Sequence, residues 1–143
     1  MTDQTSAPAR RLLVSGATGL IGRALVTARR AAGDEVVRLV RAGREPDTVL
    51  WDGGRTPLDP AVVSGFDAVV HLAGEPLVGR WTTEKKRRII DSRVQGTTAL
   101  AEAIARAERP PAVFVSASGI NFYGNRGNDV VVETDGHLSL IHI

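Results

Sequence analysis

Short apolar runs alternate with helical patterns along the chain. Arg11 to Ser15 is the first run of strand length, with Leu12, Leu13 and Val14 at its centre. A helical pattern opens at Leu20, where Ile21, Leu25, Ala28 and Ala32 fall at i, i+4, i+7 and i+11 and predict one buried face. Gly33 suits the residue just past that helix. Glu35 to Val40 predicts a second strand whose apolar centre fits a sheet covered on both faces. Asp47 to Trp51 predicts a short third strand, followed by the turn Asp52-Gly53-Gly54. Pro57 to Ser64 is a short, weak helical piece, and Asp67 to Leu72 a fourth strand. Thr82 to Glu108 forms the long helix, with Ile90, Val94, Thr97, Ala101 and Ile104 on one face and Pro110-Pro111 stopping it. Ala112 to Ser116 is the fifth strand. This alternation predicts a doubly wound α/β fold, with a parallel sheet of order 3-2-1-4-5 and right-handed crossovers.

The junction between the first strand and first helix carries the chemistry. Ser15-Gly16-Ala17-Thr18-Gly19-Leu20-Ile21-Gly22 spaces three glycines three apart. A pyrophosphate must approach such a turn closely, so side chains have to be absent. The first N–H groups of the following helix lack intrahelical partners and lie at the positive end of its dipole, so they hold an anion. Gly16 makes the tight exit from the strand, Gly19 faces the phosphates, and Gly22 lets helix and strand pack closely. The end of the second strand then selects the cofactor. An acid there would bind a ribose 2′-hydroxyl, and an arginine a 2′-phosphate. The chain has Arg41, nineteen residues past Gly22, with Arg44 close behind and no carboxylate between Glu35 and Glu45. Guanidinium pairs with phosphate bidentately, so the pattern favours NADP(H) over NAD(H).

Composition narrows the remaining classes. The 143 residues make one domain at most and are 43% hydrophobic and 24% charged, ordinary values for a soluble α/β protein. Without cysteine there are no disulfides, thiolate metal sites or thiol nucleophiles. A net charge of +2 does not call for nucleic acid, and no apolar run approaches a membrane span. Residues 1–10 are polar and lack the apolar core of a signal peptide, so they read as a disordered tail and the default location is cytoplasmic.

Four further features need a reading. His71 lies within an apolar strand with no second histidine nearby, which suits a core or cofactor-flanking residue and no metal role. Trp51 reads as a half-buried edge residue. Lys85-Lys86-Arg87-Arg88 reads as a solvated face. The small residues after the fourth strand, Leu72-Ala73-Gly74-Glu75, lie where a doubly wound sheet lets a cofactor rest.

Together these segments resemble the extended short-chain dehydrogenase/reductases, and within them the epimerase-like family of NAD-dependent epimerase/dehydratase type. Matching segments are Ser15 to Gly22, Val40-Arg41, Val70-His71-Leu72-Ala73-Gly74-Glu75, Arg80-Trp81, Asp91 to Thr97, and Ser116-Ala117-Ser118 through Tyr123-Gly124. The likeness runs from about Arg11 to Asp135, over what would be an NAD(P)-binding Rossmann-type domain. It implies phosphates at Gly16, Thr18, Gly19, Leu20, Ile21 and Gly22, a 2′-phosphate at Val40-Arg41, and adenine and ribose near Leu72, Ala73, Gly74 and Glu75. It also makes Arg93 a cofactor contact, which the residues alone place on the surface.

Two departures shape the functional reading. The wider superfamily pairs a serine or threonine after the fifth strand with a tyrosine that has a lysine four residues later. Ser116 or Ser118 fills the first role. Tyr123 has Gly127 four residues on, and no lysine follows Lys86, so Tyr123 reads as a loop residue near substrate and not the acid/base. Relatives are also about twice as long, and His137 to Ile143 does not resemble their continuation. The chain is therefore expected to be the amino-terminal half of such a protein, with residues 136–143 a non-family tail and the fifth strand an open edge. Two functions follow: an NADP-dependent epimerase-like oxidoreductase acting on a sugar nucleotide or other small carbonyl or hydroxyl substrate, or an NADP-binding module without chemistry. Pairing into a homodimer through the long helix is a superfamily habit that the resemblance brings with it.

Overall fold

The computed structural model describes residues 8–118, 123–124 and 126–136. The expected tail is thus seen only from residue 8 and the terminal segment only at Gly136, while Gly119, Asn121 and Phe122 lie outside the described residues. Five strands form one sheet: β1 (Arg11–Ser15), β2 (Glu35–Val40), β3 (Thr48–Leu50), β4 (Ala68–His71) and β5 (Val113–Ser116). Every pairing is parallel and the order is β3-β2-β1-β4-β5, as the pattern predicts. Among the described residues two helices cover it, α1 (Leu20–Ala31) and α2 (Thr83–Arg106), and a short 3₁₀ turn over Pro60–Val62 is all that forms of the weak helical piece.

Alternating side chains of the central strands feed two cores. Leu13, Leu39 and Val69 join Trp51, Val63, Leu100 and Ala103 on the α2 side. Leu12, Val14, Val36 and Val70 join Ala17 and Val26 on the α1 side. Leu100 is fully buried, so Leu100→Ala removes about 3 kcal/mol of stability, measured by urea unfolding.

Three sequence readings are corrected. Helix α1 buries Gly22 and Val26, with Leu25 half-buried, whereas Ile21 is 68% exposed and Ala28 and Ala32 face solvent. The helix is turned by its glycine: Gly22 abuts the Gly16 carbonyl, a contact that no count of apolar residues detects. Helix α2 likewise buries Gly96, Ala99, Leu100 and Ala103 and leaves Ile90 and Val94 about 60% exposed, because small residues let it approach β4. Trp51 is no edge residue. At 7% exposure it belongs to the α2-side core, its backbone N–H donating to the Val40 carbonyl at 2.8 Å and so extending the β2–β3 ladder.

One ion cluster ties α1, β2 and β3 together. Asp47 accepts from Arg38 Nε and Nη2, both at 2.9 Å, and also pairs with Arg30. The Arg38 hydrogen bonds, then Arg30, lower its pKa to about 2. A carboxylate depressed in the folded state stabilises above its unfolded pKa and loses that contribution as pH falls through the folded one. Against Asp47→Asn, the wild-type chain is therefore more stable by about 1 kcal/mol at neutral pH, the ion pairs being partly solvent-screened. That margin disappears between about pH 4 and pH 2. Thermal unfolding across this range measures it.

Candidate functional site

The carboxyl ends of all five parallel strands face one rim, where the order reverses between β1 and β4. That switch point is where a doubly wound sheet opens a crevice. At its centre the three glycines do three different jobs. Gly16 has φ +72°, and a Cβ there would stand 2.6 Å from the Ala73 nitrogen and 2.7 Å from the Leu72 oxygen. A Cβ on Gly22 would stand 2.2 Å from the Gly16 oxygen. Both positions are closed by backbone. Gly19 is different: its only near neighbour would be the Gly16 oxygen at 3.3 Å, so it faces open space. Its N–H donates to the Gly16 carbonyl at 3.0 Å, which closes the turn.

Gly19 is also the N-cap of α1, with no side-chain cap and no acid in the first turn, and Thr18, Leu20 and Ile21 around it are exposed. Helix α2 shows the contrast. Thr82 accepts from the Lys85 N–H at 3.1 Å, and Glu84 lies in the first turn. The first N–H groups of α1 thus have no side-chain cap, an arrangement that can receive an anion.

On one side of the turn, Val40 ends β2 half-buried and Arg41 follows it, exposed and with no ion pair among the described residues. Arg41 borders a groove of about 430 Å³ shared with Leu50, Asp52, Thr56, Asp59 and Val62. Sequence reasoning did not reach this groove. Asp52 is occupied within it, accepting from the Thr56 hydroxyl and the Arg55 and Gly54 N–H groups, which lower its pKa.

On the other side a cleft of about 200 Å³ is bounded by His71, Ala73, Glu75, Arg93, Thr97 and Ser118. Arg93 lies over Gly74, its guanidinium 3.4 Å from where a Cβ would be, and donates to the Glu75 and Ile89 carbonyls at 3.4 and 3.1 Å. Thus Arg93 and Leu72–Glu75, far apart in sequence, form one wall. Ser116 is the exposed end of β5, paired in register with His71, and Ser118 opens on the same cleft. Tyr123 is half-buried, its carbonyl accepting from Arg126 Nε at 3.1 Å.

The basic run corrects another reading. Lys85 is not solvated: its side chain is 13% exposed and donates to Glu75 at 2.8 Å, with Arg88 3.5 Å from the same carboxylate. Lys85 first, then Arg88, lowers the Glu75 pKa. The Glu75 N–H donates to Ser92 Oγ at 2.9 Å. Lys85, Ile89, Ser92 and Gly96 lie on the inner face of α2, a spacing that would have flagged Lys85 had the helix been phased on its glycine. His71 is 3% exposed and hydrogen-bonded to Ser15, so it is both a core residue and a wall of the cleft. Burial lowers its pKa. Among the described residues no group of three or more histidines and acids could hold a metal, and no helix is long and apolar enough to cross a membrane.

Residues 12–139 match the model of the NAD dependent epimerase/dehydratase family. The chain belongs to that family. Among its relatives, epimerase family protein SDR39U1 of Bos taurus is 38% identical over 116 residues, covering 79% of this chain and 38% of its own length. Two solved structures superpose on the chain. The nucleoside-diphosphate sugar epimerase of Corynebacterium glutamicum does so with TM-score 0.76 and 32% identity, over 91% of this chain and 27% of that one. Human SDR39U1, solved with NADPH, gives TM-score 0.68 and 35% identity over 79% of this chain and 38% of that one. The chain therefore spans about two fifths of the length of the SDR39U1 relatives it matches.

Proposed function

We propose that this chain holds NADP(H) and is the cofactor-binding part of an epimerase-like oxidoreductase acting on a sugar nucleotide or another small carbonyl or hydroxyl compound. The observation that carries the cofactor is Arg41, exposed just past the end of β2 with no ion pair among the described residues, beside a turn whose middle glycine is open. The donor set fits the dinucleotide. Phosphates lie against Gly16 to Gly22, with Thr18, Leu20 and Ile21 supplying backbone at the positive end of α1. Val40 and Arg41 take the 2′-phosphate, while Leu72, Ala73, Gly74 and Glu75, backed by Arg93, hold adenine and ribose. The NADPH of human SDR39U1 supports this choice. When bound, the dinucleotide supplies a hydride at nicotinamide C4. The chain's own part is to orient it and to offer Ser116 or Ser118 as hydrogen-bond donor to a substrate oxygen.

A binding module without chemistry is the second reading, favoured by the Gly127 that stands where the superfamily places lysine. Loss of NADPH absorbance with carbonyl substrates in a full-length relative of this chain separates the two. The cofactor reading is tested by Gly19→Ala. The added methyl costs at most about 1 kcal/mol of stability, since it meets little protein and replaces glycine at an N-cap. It nevertheless stands where a phosphate must lie, so NADPH affinity falls at least about tenfold in a tryptophan fluorescence titration. Unchanged affinity contradicts the placement.

A further inference from the structure

Beneath the glycine turn is a buried polar contact that the cofactor reading does not use. Ser15, fully buried at the end of β1, and His71, at the end of β4, meet with Oγ and Nδ1 2.6 Å apart. Ser15 Oγ also accepts from the Ala73 N–H at 3.4 Å, and the Leu72 N–H donates to the Ser15 carbonyl at 3.1 Å. These are the two residues whose backbone closes over Gly16. A serine hydroxyl has one hydrogen to give. The Ala73 N–H takes one lone pair of Oγ, and His71 Nδ1 is the one acceptor among the described residues that the hydroxyl hydrogen reaches, which makes the imidazole an acceptor there and places its proton on Nε2. The opposite tautomer would leave the Ser15 hydroxyl hydrogen in a fully buried position with no acceptor among the described residues.

Three further neighbours hold His71. The Trp51 ring lies edge-on at 5.7 Å, and Nε2 stands 3.1 Å from where a Cβ on Gly96 of α2 would be. The Ala117 N–H holds the His71 carbonyl at 2.9 Å from the β5 side. The charged groups that share its cleft are Glu75 and Arg93. Glu75 pairs with Lys85 and Arg88, and Arg93 donates to main-chain carbonyls. Asp52, in the loop after Trp51, is taken by its own turn.

We propose that the Ser15–His71 pair positions the phosphate-binding turn, the neutral imidazole holding Ser15, and through it Gly16, in register with Leu72–Ala73. This rests on the cofactor reading above. Protonating Nδ1 would likewise leave the buried Ser15 hydroxyl hydrogen without an acceptor, so cofactor affinity depends on a neutral His71. It predicts a positioning residue that works through hydrogen-bond polarity and not through bulk. Asparagine can place an acceptor oxygen where Nδ1 stands, whereas leucine fills the space and accepts nothing.

The test uses the 143-residue chain with Trp81→Phe as background, so that Trp51, in contact with the His71 ring, reports alone. NADPH is titrated from pH 7.5 to pH 5 against the parent, His71→Asn, His71→Leu and Ser15→Ala. At pH 7.5, His71→Leu and Ser15→Ala bind about tenfold more weakly and His71→Asn stays within about threefold of the parent. As pH falls, the parent loses affinity relative to His71→Asn, the titration of NADPH itself being common to both. Equal affinity of parent and His71→Leu overturns the proposal, as does His71→Asn losing as much as His71→Leu. Should His71→Leu fail to fold, Ser15→Ala decides, because it deletes only the hydroxyl. Imidazole ¹⁵N shifts of the cofactor-free parent read the tautomer separately: protonation on Nε2 is required, and protonation on Nδ1 overturns the pairing. A parent that binds no nucleotide while showing the Nε2 tautomer contradicts the cofactor reading and the positioning role resting on it, but leaves the Ser15–His71 bond standing.

Discussion

Replacing Gly22 by alanine lowers stability by about 3 kcal/mol, which moves the thermal midpoint down by roughly 10 °C for a domain of this size. In an ordinary helix the same change is favourable by about 1 kcal/mol. Here the new methyl would lie 2.2 Å from the Gly16 oxygen and 2.8 Å from the Ala17 Cα. Those atoms are backbone of the turn itself, so none can rotate away, and α1 must lift off the sheet. Gly33 provides the comparison. It meets nothing within 4 Å but has φ +87°, so Gly33→Ala costs only the left-handed backbone strain of about 1 to 2 kcal/mol. Differential scanning calorimetry of the two variants separates close packing from backbone conformation. Equal losses would show that the helix is not seated on the turn as described.

Replacing Arg41 by alanine weakens NADPH binding roughly 10- to 100-fold and leaves NADH binding within about twofold, with no change in thermal stability. The selectivity follows from what Arg41 touches. It is exposed, lies outside β2 and has no ion pair among the described residues, so the described fold loses no such contact with it. A charge-assisted, bidentate contact to the 2′-phosphate is worth about 1.5 to 3 kcal/mol, and NADH has no such group. Arg41→Lys recovers part of the affinity, since lysine keeps the charge but not the forked geometry. Calorimetric titration of the three proteins with both nucleotides measures this.

Much of the fold was legible because strand apolarity and glycine placement are local signals. Val36 to Val40, the Ser15-to-Gly22 turn and Pro110-Pro111 each speak through their own residues, and together they set five strands in order 3-2-1-4-5. What escaped depended on which side of a helix meets the sheet. Ile21 and Ile90 are the apolar choices by composition, yet Gly22 and Gly96 make the contacts, because a close approach is marked by the absence of a side chain. Once α2 was misphased, Lys85 fell on the outer face and its pairing with Glu75 was lost with it. Trp51 misled for a related reason: β3 is an edge strand, but the turn after it folds the indole under α2 beside His71. At the site, the glycines and Arg41 were readable because spacing alone carries their meaning. The Ser15–His71 bond, joining residues 56 apart in sequence, appears only when β1 and β4 lie side by side.

The most direct test of the cofactor assignment is isothermal titration of the wild-type chain with NADPH and NADH at one pH and ionic strength. NADPH is predicted to bind at least about tenfold more tightly, the difference arising from the 2′-phosphate at Arg41 and shrinking as salt is raised. Equal affinity, or preference for NADH, would contradict the reading of Arg41. Absence of binding by either nucleotide to the folded chain would contradict the phosphate site at Gly16 to Gly22.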